Sequence, residues 1–484
     1  MTGAVAAGSP LTMEAGLFAL RQGGNAVDAA IAAQLCACVA EPLLTGLGGG
    51  GLALVRMNGQ AQVCDFFSDA PRRSGEMTRV ELDFGPTTQT FFVGPSSITV
   101  PGLPSGLWAL HQRWGRLPMT RLVQPALAAV RDGVPVTAGF ARVNELLWPI
   151  QQLTKASAAL FGPEGTPLTE GQIFRNDALG DTLQAYVTEG PALFQTGRIG
   201  QALLEAAPTL TAEDVRAYAP VFRDALSVSY RGSTVHLPGA PSQGGVQVAR
   251  SLRSLAEGPM PQPFGFDHVQ RLANAMDEAE EAVPGQLADH LYRPGFLREY
   301  LGSGFTTHLS VVDGDGNAVA ITSSLGETAG LVLPGTGICP NNFLGEEDVN
   351  PPDFDTPAGR RLVTMCCPTV LSRGGGVFAL GSGGSSRIRS ALLHGIVYLV
   401  DHHLDPAEVP NLPRCHMQDG TLRLESFERP DHTVDDLMAE HPDLVLFERR
   451  GMYFGGLHIA GLDSRGFRGG GDRRRSGAFG VFSG

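Results

Sequence analysis

From Thr306 to Thr322 apolar and polar positions alternate: Leu309, Val311 and Asp313 share one face, Gly314-Asp315-Gly316-Asn317 interrupts, and Ala318, Ala320 and Thr322 return. An Asp-Gly pair between two alternating runs predicts a β-hairpin. A second hairpin is predicted for Thr369 to Leu371 and Val377 to Leu380, turning around Ser372 to Gly376. Helical periodicity marks Leu103 to Trp114, Leu122 to Arg131, Gly200 to Ala206, Phe264 to Glu281 and Ile388 to Leu399, and Thr211-Ala212-Glu213-Asp214 reads as a capped helix start. An alanine-rich helix is predicted from Ala26, capped by Asn25 and ended by Glu41-Pro42, because proline disfavours helical geometry in the residue before it. The glycine run Gly46 to Gly51 leads into a short strand, Leu52 to Val55. It lacks the lysine and Ser/Thr of a phosphate-binding loop and precedes a strand, so close backbone packing is its expected role. Hairpins followed by helices suit an α+β fold, a sandwich of two antiparallel sheets covered by helices.

Composition narrows the function classes. The 484 residues would suggest two or three domains on length alone, and 43% hydrophobic content supports a large core. A formal net charge of −13 opposes nucleic-acid binding, which needs a basic stripe to displace counterions. Arg473-Arg474-Arg475, at the end of a Gly/Arg-rich tail, is too short to reverse that and reads as a solvated surface loop; the acidic cluster Asp277 to Glu281 reads as a solvated helix face that needs no metal. The seven cysteines lack zinc-ligand or comfortable disulfide spacing and are expected as buried reduced thiols. The most apolar stretch, Ala26 to Ala40, is too short for a membrane span and contains Asp28 and Gln34. Met1 to Pro10 shows no secretory pattern, so a soluble cytoplasmic protein acting on small molecules, without nucleic-acid or membrane partners, is expected.

The chemistry begins at Thr306. Were the bond before it cut, one residue would carry both a hydroxyl nucleophile and a free α-amine to act as its base. Thr-Thr-His at a strand entry is not diagnostic alone, since β-branched residues favour strands. Its company is. Gly23-Gly24-Asn25-Ala26-Val27-Asp28-Ala29-Ala30, Glu41-Pro42 with Gly46-Leu47-Gly48-Gly49-Gly50-Gly51, Val100-Pro101-Gly102, Gly115-Arg116-Leu117-Pro118, Leu122-Val123-Gln124-Pro125-Ala126, Tyr230-Arg231-Gly232, Pro241-Ser242-Gln243-Gly244-Gly245, Asn341-Asn342, Pro368-Thr369 and Gly381 to Arg387 occur in order around it. This ordered set resembles the gamma-glutamyltransferase (gamma-glutamyltranspeptidase) family over nearly the whole chain.

The resemblance implies one αββα unit of the N-terminal-nucleophile type, made of residues 1–305 and 306–484, which stay associated after self-cleavage between Phe305 and Thr306. It implies Thr306 as nucleophile, Ser324 as the second hydroxyl that holds it, and the backbone amides of Gly384 and Ser385 as the oxyanion hole. Free N–H groups before a helix suit an anion. A rival serine hydrolase built on Ser382 or Ser385 fails the Gly-x-Ser-x-Gly pattern, and His308 reads as a structural strand residue. No metal or organic cofactor is implied.

Several substrate positions depart from the family pattern. Phe67, in Asp65-Phe66-Phe67-Ser68, stands where an arginine would grip the α-carboxylate of a γ-glutamyl group, and a ring cannot replace a guanidinium fork. Gly326 replaces an asparagine, Phe343 a polar residue, and Thr364-Met365 a serine pair, while Glu346 matches the family's acid by position. Arg72, Arg73 and Arg361 are candidate substitutes for the missing cation. The stretch Glu346 to Arg361 is short for a lid, which favours water over an amino-acid or peptide acceptor. The expected activity is hydrolysis, with some transfer, of γ-glutamyl amides such as glutathione. The alternatives are an acylase for another acyl amide, such as a cephalosporin-type side chain, and an uncut, inactive binding protein.

Overall fold

The computed structural model describes residues 1–83, 88–281, 305–346, 349–350, 357–426 and 432–484. Two antiparallel sheets form its centre. Numbered in chain order, their strands are β1 (Gly3–Ala7), β2 (Gly50–Met57), β3 (Gln60–Phe66), β4 (Val221–Asp224), β5 (Leu226–Tyr230), β6 (Ser233–Leu237), β7 (Thr306–Asp313), β8 (Ala318–Ser324), β9 (Thr369–Arg373), β10 (Gly376–Gly381), β11 (His458–Asp463), β12 (Gly466–Gly470) and β13 (Ala478–Phe482). One sheet runs β13-β1-β7-β8-β2-β3-β4 and the other β12-β11-β10-β9-β6-β5. The covering helices that matter below are α1 (Pro10–Arg21), α2 (Ala26–Ala40), α3 (Gln243–Leu255), α4 (Phe266–Glu281) and α5 (Arg387–Val400).

The predicted hairpin is β7-β8, turning at Gly314 to Asn317, and every one of its strand residues is buried. Its alternation is therefore between two cores rather than core and solvent. Leu309, Val311, Val319 and Ile321 join the helix-facing core with α1 and α2, whereas Val312, Ala318 and Ala320 pack with Leu54, Val63, Val370 and Ala379 between the sheets. A second helix-facing core packs α3, α4 and α5 on the other sheet. This is the expected αββα sandwich.

Polar groups on such a strand must find partners inside the protein. His308 does so: Nδ1 pairs with Thr322 Oγ1 at 2.8 Å and Nε2 with Ser310 Oγ at 2.9 Å. Burial, then the neighbouring His458, holds its pKa well below the usual histidine value. The ring is a neutral strut, as its strand position suggested. Asp313 closes the other end of β7: Oδ1 accepts from the amides of Asp315 and Asn317, and Oδ2 from the Ala26 amide at 3.0 Å. That last bond ties the hairpin turn to the start of α2, where Asn25 and Asp28 form a capping box.

Two surface readings need correction. Arg474 and Arg475 are buried rather than solvated: Arg474 forks onto Glu425 and Asp472. A Gly/Arg-rich tail looks solvated by composition, but here it threads the sheet edge before β13. In the acidic cluster on α4, Glu280 turns inward to pair with buried Arg389, while Glu278 remains exposed. The cysteines are free and buried, and burial pushes the Cys36 thiol up to about 12. Among the described residues, no helix is long and apolar enough to cross a membrane.

Candidate active site

Strand register assembles the centre. Thr306 faces Ser324 across β7-β8, and Ser324 faces Gly50 on β2. The glycine run is a steric requirement here, since a Cβ on Gly49 would lie 2.1 Å from the Ser324 carbonyl oxygen. Thr306 Oγ1 donates to Ser324 Oγ at 3.4 Å, Ser324 Oγ donates to the Phe305 carbonyl at 2.8 Å, and the Gly326 amide donates to Ser324 Oγ at 2.9 Å. One donor and two acceptor sites use the whole capacity of a hydroxyl. Ser324 thus aims its proton at the Phe305 carbonyl, one residue before Thr306.

Above this pair is a cavity of ≈ 20 Å³ that brings together Thr306, Ser324, Phe67, Phe343, Glu346, Thr364, Met365 and Ser385, along with Val349, Cys366 and Ile388. The rings of Phe67 and Phe343 meet at 4.5 Å between centroids and form an apolar cluster with Ala70, Val349 and Leu362. Gly326 supports the floor rather than the wall. It has φ +68°, and a Cβ there would fall 2.2 Å from Asn342 Oδ1 and 2.5 Å from Glu346 Oε1. The asparagine of the family pattern would therefore displace Glu346.

The three candidate substitute cations do not reach this cavity. Arg361 is buried beneath it, with Nη1 on the Phe67 carbonyl and on Tyr218 Oη at 2.8 Å, Nη2 on the Ala219 carbonyl at 2.8 Å, and Nε 3.2 Å from Asp69. Arg72 pairs with Glu213 and Asp214, and Arg73 is exposed. Among the described residues, the acyl end of the site carries the carboxylate of Glu346 and no guanidinium. The stretch read as a short lid includes residues 347–348 and 351–356, which lie outside the described residues.

Gly384 and Ser385 sit in the turn entering α5, with φ +117° and +48°, and Ser385 lines the cavity one residue after Gly384. A serine in the left-handed region costs about 1–2 kcal/mol that glycine avoids. Ser385→Gly is accordingly expected to raise unfolding stability by about 1 kcal/mol without loss of kcat, as chemical denaturation and steady-state kinetics will show; a large fall in kcat would mean that the serine hydroxyl itself takes part. Ser382, the rival nucleophile, is fully buried, donates to the Gly383 carbonyl at 2.8 Å and accepts from the Gly456 amide at 3.0 Å.

Sequence reasoning missed two charged neighbours of β7. Arg475 Nη1 donates to the Thr306 carbonyl at 3.0 Å, and Glu41 accepts from Thr307 Oγ1 at 2.5 Å and from Thr12 Oγ1 at 2.6 Å. Burial, then Arg387, draws the Arg475 pKa down to about 10, and burial raises that of Glu41. The Glu41-Pro42 pair was visible as a helix end, but nothing local in the sequence aims Arg475 at residue 306.

An αββα sandwich with a strand-opening threonine beside a second buried hydroxyl at its centre has the architecture of the N-terminal-nucleophile hydrolases. The chain superposes on the cephalosporin acylase of Bacillus halodurans with a TM-score of 0.83 at 23% identity, covering 100% of this chain and 96% of that one. It is 30% identical to the glutathione hydrolase proenzyme of Escherichia coli (strain K12), over 93% of this chain and 87% of that protein. It is also 30% identical to the acylase ACY 1 proenzyme of Pseudomonas sp. (strain SE83), over 92% of this chain and 87% of that protein. With residues 12–303 and 291–482 matching the family described as Gamma-glutamyltranspeptidase, the chain belongs to the gamma-glutamyltranspeptidase family.

Proposed function

We propose that this chain cuts itself between Phe305 and Thr306 and then hydrolyses γ-glutamyl amides of the glutathione type, with Thr306 as nucleophile. The observation that carries this reading is the Ser324 hydroxyl, bonded at once to the Thr306 hydroxyl and to the Phe305 carbonyl. In self-cleavage, Thr306 Oγ1 bonds to the Phe305 carbonyl carbon, its proton passes to Ser324, and the Ser324 proton passes to the carbonyl oxygen. The C–N bond then breaks with a proton to nitrogen, which leaves an ester that water hydrolyses to a Phe305 carboxylate and a free Thr306 amine. In the mature enzyme that amine takes the proton of Oγ1 as it attacks a substrate amide and returns it to the leaving amine. The amides of Gly384 and Ser385 receive the oxyanion. Water resolves the acyl-enzyme more readily than an amino-acid acceptor does.

A second reading, an acylase for amides whose acyl group lacks a free α-carboxylate, is favoured by the Phe67–Phe343 ring contact and by the burial of Arg361 in its own network. One experiment separates the two. A γ-glutamyl anilide and an uncharged acyl anilide of matched length are compared on the processed protein. A missing charge-assisted contact forfeits about 1.5–3 kcal/mol, so on the acylase reading the γ-glutamyl substrate is expected to show the higher KM. Phe67→Arg, tested alongside, is expected to narrow that gap and to lower Tm, since it buries a charge in an apolar cluster. Strong wild-type preference for the γ-glutamyl substrate, with no gain from Phe67→Arg, removes the acylase reading. Failure to hydrolyse either anilide removes both.

A further inference from the structure

Successive strand residues point to opposite faces, so Thr307 turns away from the cavity that holds Thr306. On the Thr307 side lies a second void of ≈ 270 Å³, near the lower end of the roughly 300–1,000 Å³ of small-molecule sites. Its walls are apolar, chiefly Leu43, Leu44, Phe140, Val143 and Met452, and its mouth opens past Pro10 and Leu11, which are exposed. Two charged side chains enter it, Glu41 and Arg475. Arg475 is 9% exposed, and among the described residues its hydrogen bonding consists of Nη1 on the Thr306 carbonyl; the buried Nε has no partner. Most of the donor fork of a buried cation is thus unspent, at the end of an apolar chamber.

We propose that this void binds a small apolar monocarboxylate, with the carboxylate on Nη2 of Arg475 and the hydrocarbon body against Leu43, Phe140 and Val143. A neutral occupant would leave the guanidinium fork unpaired, and a dianion would bring a second charge that nothing in the apolar walls offsets. A carboxylate oxygen on Nη2 makes the charge-assisted contact this guanidinium has left to give. Glu41 turns its two carboxyl oxygens to the Thr12 and Thr307 hydroxyls, and burial raises its pKa. Arg387 adds positive potential around Arg475. The site stands independently of the reaction proposed above.

The test uses the full chain carrying Thr306→Ala, which keeps the uncut state; there the ≈ 20 Å³ catalytic cavity is too small to hold the probe. Octanoate and octanol are titrated calorimetrically against this protein. Octanoate is expected to bind at least about tenfold more tightly than octanol, the factor that follows from one charge-assisted contact. Arg475→Met should bring octanoate down to the octanol level, and Val143→Trp, which fills the chamber, should weaken both, with Tm reporting that each variant folds. Equal affinity for octanoate and octanol, binding undiminished by Arg475→Met, or no binding of octanoate overturns the proposal. The comparison on the parent chain decides alone if a variant fails to fold.

Discussion

Thr306→Ala is expected to yield a single uncut polypeptide with no measurable amide hydrolysis. One hydroxyl is asked to attack twice, first the Phe305 carbonyl and then the substrate, so its removal stops both maturation and turnover. Loss of a hydroxyl nucleophile elsewhere costs on the order of 10⁶ in kcat, and here the failure to release the α-amine removes the base as well. Thr306→Ser keeps the attacking oxygen and should still cleave. Denaturing electrophoresis checks the first outcome, and a chromogenic anilide checks the second. Two fragments from the alanine variant, or full activity in an uncut wild-type chain, would sink the assignment. The fold itself should tolerate the change, because Thr306 places no apolar bulk in either core.

Ser324→Ala is expected to slow self-cleavage and to reduce kcat by about 10²–10³, with KM little changed. That is the scale for removing a donor aimed at a developing oxyanion. In the uncut chain the donor lies 2.8 Å from the scissile carbonyl and also holds the Thr306 hydroxyl. Its loss leaves the Gly326 amide without its acceptor, so a modest fall in stability should accompany the kinetic effect. Time courses of cleavage and steady-state kinetics on whatever matures will separate these. A defect confined to KM would make Ser324 a binding residue.

The parts of the molecule legible in the sequence are those with local rules. The β7-β8 hairpin announced itself through alternation and Asp-Gly, α2 through Asn25 and Pro42, and the entry to α5 through its glycines. The β13 side of the same sheet was not legible. β1 makes sense only once β7 exists to pair with, and β13 only once β1 is in place, and these partners lie hundreds of residues apart in sequence: Val5 pairs with both Val311 and Gly480. The ribbon Thr78–Asp83 with Thr88–Val93 and the helix Ala138–Gln151 were likewise unread. Around the cavity, Phe67 and Phe343 were found because they break a pattern, whereas Cys366 and Ile388 line it without any local mark. Arg475 was misread outright: a run of three arginines suggests solvent, and only the three-dimensional path of the tail shows that its last member reaches β7 at Thr306.

Both sheets draw strands from either side of the 305–306 bond; β7 itself lies between β1, from the early part of the chain, and its own hairpin partner β8. Once that bond is cut, no mechanical event need follow, since the two pieces remain laced together by the hydrogen bonds and cores formed when they were one. The memory of how to fold is lost with the bond. An uncut chain finds its register as a unimolecular search, while two separated fragments must meet in solution and recreate a buried central strand pairing from opposite ends, a concentration-dependent task exposed to aggregation. A cut there would therefore convert a molecule that can be refolded into one whose persistence is a matter of rate: its lifetime would be set by how slowly the fragments part.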